Sequence, residues 1–339
     1  MSLHPNDLTD RPSLEDEQTT DVLADMLDTL RLETLMYGRF ELSAPWGIQF
    51  GHSESSSSMN IIVVGRGGAL LELEGAAPVS LSAGDLALLP HGAAYALRYA
   101  EGAPLQPIAE GTCRRALTTG PIRMGGNGIR TTLVSGSFRF GTAQRTLLFE
   151  GLPRVIHAAA DDPAASPSLA STVQLLIGES ASPSPGAAVI VSRLADILMV
   201  QALRAFIAGG ACREHGLRAL ADPQIGKALG FLHERPAAPW TVESLASAVG
   251  LSRSGFAARF HELVGEPPLE YLARWRMTKA AQLLRESQLS MMEVAERVGY
   301  QSEASFNRAF KRWEGVAPGA YRRDRRAHEL LEAAEPPRG

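Results

Sequence analysis

Asn307, Arg308 and Lys311 lie within "SEASFNRAFKR" (302–312), and their side chains are of the types that read a polyanion with patterned edges. Arginine can bond guanine through two donors, asparagine can bond adenine in the same way, and lysine suits a phosphate. Spacing decides whether they act together. If 302–314 is a helix with Phe306 turned to a core, then Ala304, Asn307, Arg308 and Lys311 fall on the opposite face, with Ser302 and Glu303 at its start. About fifty residues upstream, "LASAVGLSRSGFAARFH" (245–261) offers Ser254, Ala257, Ala258 and His261 at the corresponding outward positions. These are small and poor in donors; alanine allows close approach and contact with a thymine methyl but little hydrogen-bond discrimination. Arg253, near the helix start, and Arg259, at its flank, suit contacts with a nucleic-acid backbone.

The elements that position these residues are duplicated. Ala246, Val249 and Gly250 match Ala295, Val298 and Gly299; after one extra residue, Phe256, Phe260, Gly265, Pro268 and Tyr271 match Phe306, Phe310, Gly315, Pro318 and Tyr321 at a constant offset of fifty. Gly250 and Gly299 stand where a first helix must end, because glycine takes the left-handed backbone without a Cβ penalty. Ser252 and Ser302 follow as N-caps. The phenylalanines, four apart, share one face and anchor each second helix. The pattern predicts a helix-turn-helix built twice. Between the copies, "PLEYLARWRMTKAAQLLRE" (268–286) reads as one helix. At 1.5 Å per residue it spans ~28 Å, close to the ~34 Å between successive major grooves on one face of B-DNA.

Charge follows the same division. Residues 1–222 carry 16 Lys and Arg against 23 Asp and Glu, whereas residues 223–326 carry 16 against 11. A basic module beside an acidic remainder fits one part that meets a polyanion and another that does not. With 339 residues the chain can hold more than one core, and it has no apolar run of the ~18 residues that a membrane span needs. The polar, acidic start lacks the order of a signal peptide, and two cysteines make no disulfide framework, so a cytoplasmic protein without a membrane partner is expected.

The front half has another texture. Residues 1–20 read as a disordered arm, and Val22, Leu23, Met26, Leu27 and Leu30 then recur with helical period. From about residue 38 short apolar runs alternate with glycine turns: 59–75 reads as two strands, 78–100 as two or three more, and 128–141 as a further one. That spacing predicts an antiparallel barrel or jelly roll. Residues 188–210 read as a strong helix ended by a glycine pair, with Ile190, Leu194, Ile197, Leu198 and Leu203 as its apolar stripe. That stripe suits either packing on the barrel or a homodimer seam.

Residues 223–323 resemble the DNA-binding domain of the AraC/XylS regulators, down to "GVAPGAYRR" (315–323), and "AGDLALLPHGAAY" resembles the cupin-type sensor domain of one branch of that family. The resemblance implies an α+β multidomain protein. Its parts would be an arm (1–20), a cupin-like jelly roll with flanking helices (21–155), a helical linker and dimerisation region (156–222), an all-α domain of two helix-turn-helix motifs joined by a long helix (223–326), and an acidic tail (327–339). It implies a sequence-specific transcriptional regulator, activator or repressor, that binds double-stranded DNA through helices 252–264 and 302–314. A small effector in the cupin-like domain, a homodimer and RNA polymerase as a further partner follow from the same likeness. That branch tends to have metal-binding histidines where this chain has Asn60 and Tyr95, leaving His52 and His91 without a matched carboxylate. No metal, cofactor or catalytic residue is therefore expected. Cys113, beside Arg114 and Arg115, and Cys212 are weaker candidates for a redox pair. Two alternatives stand beside this reading: a metal-dependent cupin enzyme with an appended DNA-binding domain, and a constitutive DNA binder whose barrel only dimerises.

Overall fold

The computed structural model describes residues 21–30, 33–51, 58–108, 112, 120–139, 152–161, 167–181, 184–208 and 217–323. The arm 1–20, the tail 327–339, His52, Cys113 and Cys212 lie outside them.

Eleven strands are described: β1 (Glu33–Ser43), β2 (Gly47–Phe50), β3 (Ser58–Arg66), β4 (Gly68–Leu73), β5 (Val79–Ser82), β6 (Leu86–Leu89), β7 (Tyr95–Arg98), β8 (Gln106–Ile108), β9 (Ile122–Gly125), β10 (Arg130–Arg139) and β11 (Ile156–Ala158). They form a six-stranded sheet in the order β11-β6-β3-β10-β1-β9 and a five-stranded sheet in the order β5-β4-β7-β2-β8. Of the two expected forms, the strands take the two-sheet form of a jelly roll and not that of a closed barrel. The sandwich is not wholly antiparallel, since β9 runs parallel to β1 and β8 parallel to β2. Alternation along the strands fills the interior with Phe40, Leu42, Ile48, Ile62, Leu71, Leu97 and Leu133, all essentially removed from water. The six-stranded sheet reaches past residue 155, because β11 pairs with β6.

The other face of that sheet is apolar at one end, where Met59, Ile61, Val63, Val134 and Phe138 project. The helices α2 (Pro167–Glu179) and α3 (Ala187–Ala208) cover it, with Val191, Leu198, Met199 and Leu203 of α3 buried. Of the expected stripe, Leu198 and Leu203 face inward, but Ile190 and Ile197 are 46% and 47% exposed.

The rest is helical: α4 (Leu217–Ala221), α5 (Pro223–Glu234), α6 (Val242–Ala248), α7 (Arg253–Val264), α8 (Pro268–Glu286), α9 (Met291–Arg297) and α10 (Glu303–Glu314). The N-terminal helix, α1 (Val22–Leu30), packs on α5 and α8 of this part. There Asp25 Oδ2 lies 3.6 Å from Nδ1 of the buried His233. His233 Nε2 shares a 2.6 Å hydrogen bond with the Tyr271 hydroxyl, and its ring stacks on Trp275 at 3.8 Å.

Candidate nucleic-acid interface

Helices α6 and α7 form one unit, and α9 and α10 form the other, with the same construction in each. Gly250 and Gly299 take φ of +72° and +84°. Across each turn the N–H three residues beyond the helix reaches back to the equivalent carbonyl, Leu251 to Ala246 at 2.9 Å and Tyr300 to Ala295 at 2.8 Å. These are the 6→1 bonds of a glycine-terminated helix. Gly299 has a second reason to be glycine, since a Cβ there would sit 2.8 Å from Ala237 Cα. Ser252 then accepts from the Gly255 N–H at 3.2 Å, and Ser302 from the Ser305 N–H at 3.3 Å, so each second helix starts with a side-chain cap.

The phenylalanines lock both second helices in the same phase. Phe256–Phe260 and Phe306–Phe310 each have ring centroids 5.6 Å apart, at 57° and 55°. Tyr271 closes the first pair edge-on, and Tyr321 closes the second. With that face buried, the opposite one is fixed. Arg253, Ser254, Ala258 and His261 are exposed on α7, with Ala257 half-buried among them. Ser302, Glu303, Ala304, Arg308 and Lys311 are exposed at the start and along α10, with Asn307 half-buried.

The spacer α8 has the predicted 19 residues. Tyr271, Leu272 and Trp275 of its first half pack with the first unit, and Met277, Ala280, Ala281 and Leu284 of its second half pack with the second. One helix therefore carries both helix-turn-helix units.

Three arginines stand differently from the expectation. Arg259 is not free at the flank: its Nη2 donates to Asp222 Oδ2 at 2.6 Å and its Nε at 3.1 Å. Asp222 is the N-cap of α5; burial would raise its pKa, but bonds from the Ile225 N–H, Arg259 and the Gln224 N–H together hold it below the ordinary value. Arg259 thus ties α7 to α5. Conversely, Arg312 is exposed one turn beyond Arg308, and Arg297 is exposed at the end of α9. The dipeptide Lys311-Arg312 was the available signal for the former. In the sandwich, the Tyr95 hydroxyl lies 2.9 Å from Ser135 Oγ, and His91 Nε2 lies 2.9 Å from the Leu152 carbonyl oxygen, so His91 is engaged with backbone.

A strand-rich domain followed by two helix-turn-helix units on one spacer defines a class, the two-domain DNA-binding regulators. Residues 21–208 match the cupin family, and residues 245–324 match a helix-turn-helix domain family. A Streptomyces lividans protein described as an AraC-like transcription regulator is 36% identical over 310 residues, covering 89% of this chain and 98% of its own. The HTH-type transcriptional regulator MtrA of Neisseria gonorrhoeae is 29% identical over 308 residues, covering 90% of this chain and 98% of its own. Among solved structures, the DNA-binding domain of AdpA, in complex with a target DNA, is 36% identical, covering 32% of this chain and 96% of that one, with a TM-score of 0.30. The chain belongs to the family of AraC-like transcription regulators.

Proposed function

We propose that this regulator acts as a homodimer that reads two successive major grooves, with α10 as the principal base reader and α7 as a close-fitting, donor-poor partner. The observation that carries this reading is the matched construction of the two units on one 19-residue helix, with different side chains on their outward faces. Arg308 supplies bidentate readout and Asn307 a second reader; Lys311 and Arg253 hold phosphates. Ser254, Ala257, Ala258 and His261 line the surface of α7 against its groove, and Ser302, Glu303 and Ala304 open α10 onto its own.

Dimerisation is assigned to the helical layer. Leu175 of α2 is 62% exposed, and Val189, Ile190 and Ile197 leave an apolar strip along α3. A second copy of the same helix is the occupant that this self-complementary face fits. No described helix is long and apolar enough to cross a membrane, and the proposed site of action, the chromosome, puts the protein in the cytoplasm. The N-terminal domain is assigned a small effector, and RNA polymerase is the protein partner that a promoter-bound regulator meets. The proposal gives the chain no catalytic residue.

Selection of binding sites from random DNA tests it. The expected profile has two blocks of information one helical turn apart, ~34 Å or 10 base pairs between centres. A single block would show that only one helix enters a groove.

A further inference from the structure

The exposed half of the six-stranded sheet carries a row of arginines that the reading above leaves unused. Strand register places Arg66 of β3 beside Thr132 of β10, Thr132 beside Glu41 of β1, and Glu41 beside Arg123 of β9. One row further along, Arg130 of β10 lies beside Ser43. Alternation turns Glu41, Ser43, Arg123, Arg130 and Thr132 to the face away from the apolar interior, while their neighbours Phe40, Leu42 and Leu133 turn inward, and a register shift between Leu133 and Thr132 brings Arg66 into the same row although Ile62 and Val64 of its strand face inward. The four strands span ~14 Å at ~4.8 Å per step. Together with Arg39 they line a groove of about 590 Å³. Four arginines thus share one groove with a single carboxylate, Glu41, in the half of the chain whose charge is otherwise acidic.

Much of this charge is available. Arg66 and Arg130 are exposed and have no partner among the described residues. Arg123 donates to Glu41 at 3.0 Å yet remains 74% exposed. Arg39 is different: its Nε lies 3.3 Å from Glu41, and its Nη1 donates to the Ile177 carbonyl at 2.9 Å and to Ser180 Oγ at 3.2 Å, at the C-terminal end of α2. The groove is therefore wired to the helical layer. From α2, packing continues through α3 and α4 to the recognition helix α7.

We propose that this groove binds a small polyanion, a metabolite with two or more carboxylate or phosphate groups, and that it is the effector site of the regulator. Guanidinium forks match both oxyanions with paired donors. The sandwich interior, by contrast, is packed with apolar side chains. A ligand oxyanion among Arg66, Arg123 and Arg130 competes with Glu41 for Arg123 and shifts the Glu41–Arg39 contact that braces α2. This second part rests on the effector reading of the domain, and the experiment separates the two.

Citrate and pyrophosphate are titrated calorimetrically into the full-length protein, with chloride at matched ionic strength as the control, and operator affinity is measured with and without each anion. Arg66→Gln, Arg123→Gln and Arg130→Gln, all at exposed positions, are compared with the wild type after their melting temperatures are confirmed unchanged. The expected result is saturable binding of at least one anion, weakened ~10-fold or more by each arginine substitution and tightened by Glu41→Gln, with a change in operator affinity on binding. The citrate and pyrophosphate arms distinguish a carboxylate from a phosphate ligand. Binding that the substitutions abolish but that leaves operator affinity unchanged supports the site and overturns its role as effector site. No saturable binding at millimolar concentration, or binding that none of the arginine substitutions affects, overturns the site. Loss of operator affinity in the arginine variants without any anion would make the groove a DNA surface and would also overturn it.

Discussion

In the first helix-turn-helix unit, Phe256 and Phe260 belong to a core that continues through Leu229 and Ala219 to Leu203 of α3 and Val134 of the sheet. In the second, Phe306 and Phe310 share a separate core with Met277, Leu284, Val294 and Tyr321. The two units have the same caps, turns and aromatic pairs, so their difference lies in what surrounds them. The first is welded to the N-terminal half and tied again by Arg259–Asp222; the second hangs on the far end of α8. The welded copy presents mainly small side chains, and the hanging copy presents Asn307, Arg308 and Lys311. On the proposed reading, one scaffold used twice yields a coupling unit and a reading unit.

The largest effect should come from the cores themselves. Phe256→Ala and Phe306→Ala each delete a fully buried ring, at a cost of ~3–5 kcal/mol. Phe256→Ala should lower the main thermal transition, because its core is shared with α3 and the sheet. Phe306→Ala should instead split off an early, partial loss of helical circular dichroism and leave the main transition in place. Equal effects of both on the main transition would erase the distinction between welded and hanging units.

Readout is next. Arg308→Ala should relax preference at one or two base pairs by ~1–3 kcal/mol, seen as lost information in selected sites. Replacing Ala257 or Ala258 with leucine should weaken binding through steric clash, without relaxing preference in the block read by α10. An information profile concentrated under α7 and indifferent to Arg308→Ala would reverse the assignment of reader and partner.

The weld should also respond to pH. Burial holds the His233 pKa below its ordinary 6.5, although Asp25 works against the shift and Lys279 and Arg274 add to it. A depressed histidine pKa means that the unfolded chain takes up a proton which the folded chain refuses. Stability is then level above pH 6.5 and falls as pH drops below it, by at most ~1.4 kcal/mol per pH unit. Contact with His233 holds Asp25 below its ordinary 3.8 despite partial burial, so its contribution is lost only at lower pH still. Between pH 7 and 5 the melting temperature should fall, while the fluorescence of Trp275, which stacks on the still neutral His233, stays level in the folded protein. His233→Gln should remove that fall in melting temperature and leave any acid response of the second unit.

The repeat was legible in the sequence because its signals are local. A glycine, a serine two or three residues on, and two phenylalanines four apart fix each unit, and the offset of fifty reveals the copy. The bounds of α8 could be read from its proline start and apolar period. Strands β3, β4 and β10 could also be read, since β-branched runs cut by glycine carry their own periodicity. What could not be read depends on distant partners. The parallel pairings of β1 with β9 and β2 with β8 join segments ~60–80 residues apart, and no local pattern encodes that register. Arg259 looked free until the fold brought Asp222, 37 residues away, against it. The arginine groove is assembled from β1, β3, β9 and β10, so Arg39, Arg66, Arg123 and Arg130 give no motif in the linear chain. The docking of α1 on α5 and α8 crosses ~200 residues and is equally silent in the sequence.

The smallest effect belongs to Lys311, and it separates holding from reading within the hanging unit itself. Lys311 lies one turn beyond Asn307 on the same exposed side of α10. If its ammonium holds a phosphate, it releases about one condensed counterion on binding, so Lys311→Ala should reduce the slope of log K against log salt by ~0.9. Over a fourfold rise in salt, that one contact accounts for a change of only ~3–4-fold in affinity, on the order of 0.7 kcal/mol. The loss should be the same for operator and for random DNA, because a phosphate carries no sequence. Titrations of both DNAs at 50 and 200 mM salt provide the comparison. A loss confined to the operator would make Lys311 a base reader beside Arg308, and an unchanged slope would leave it a solvated charge on the helix.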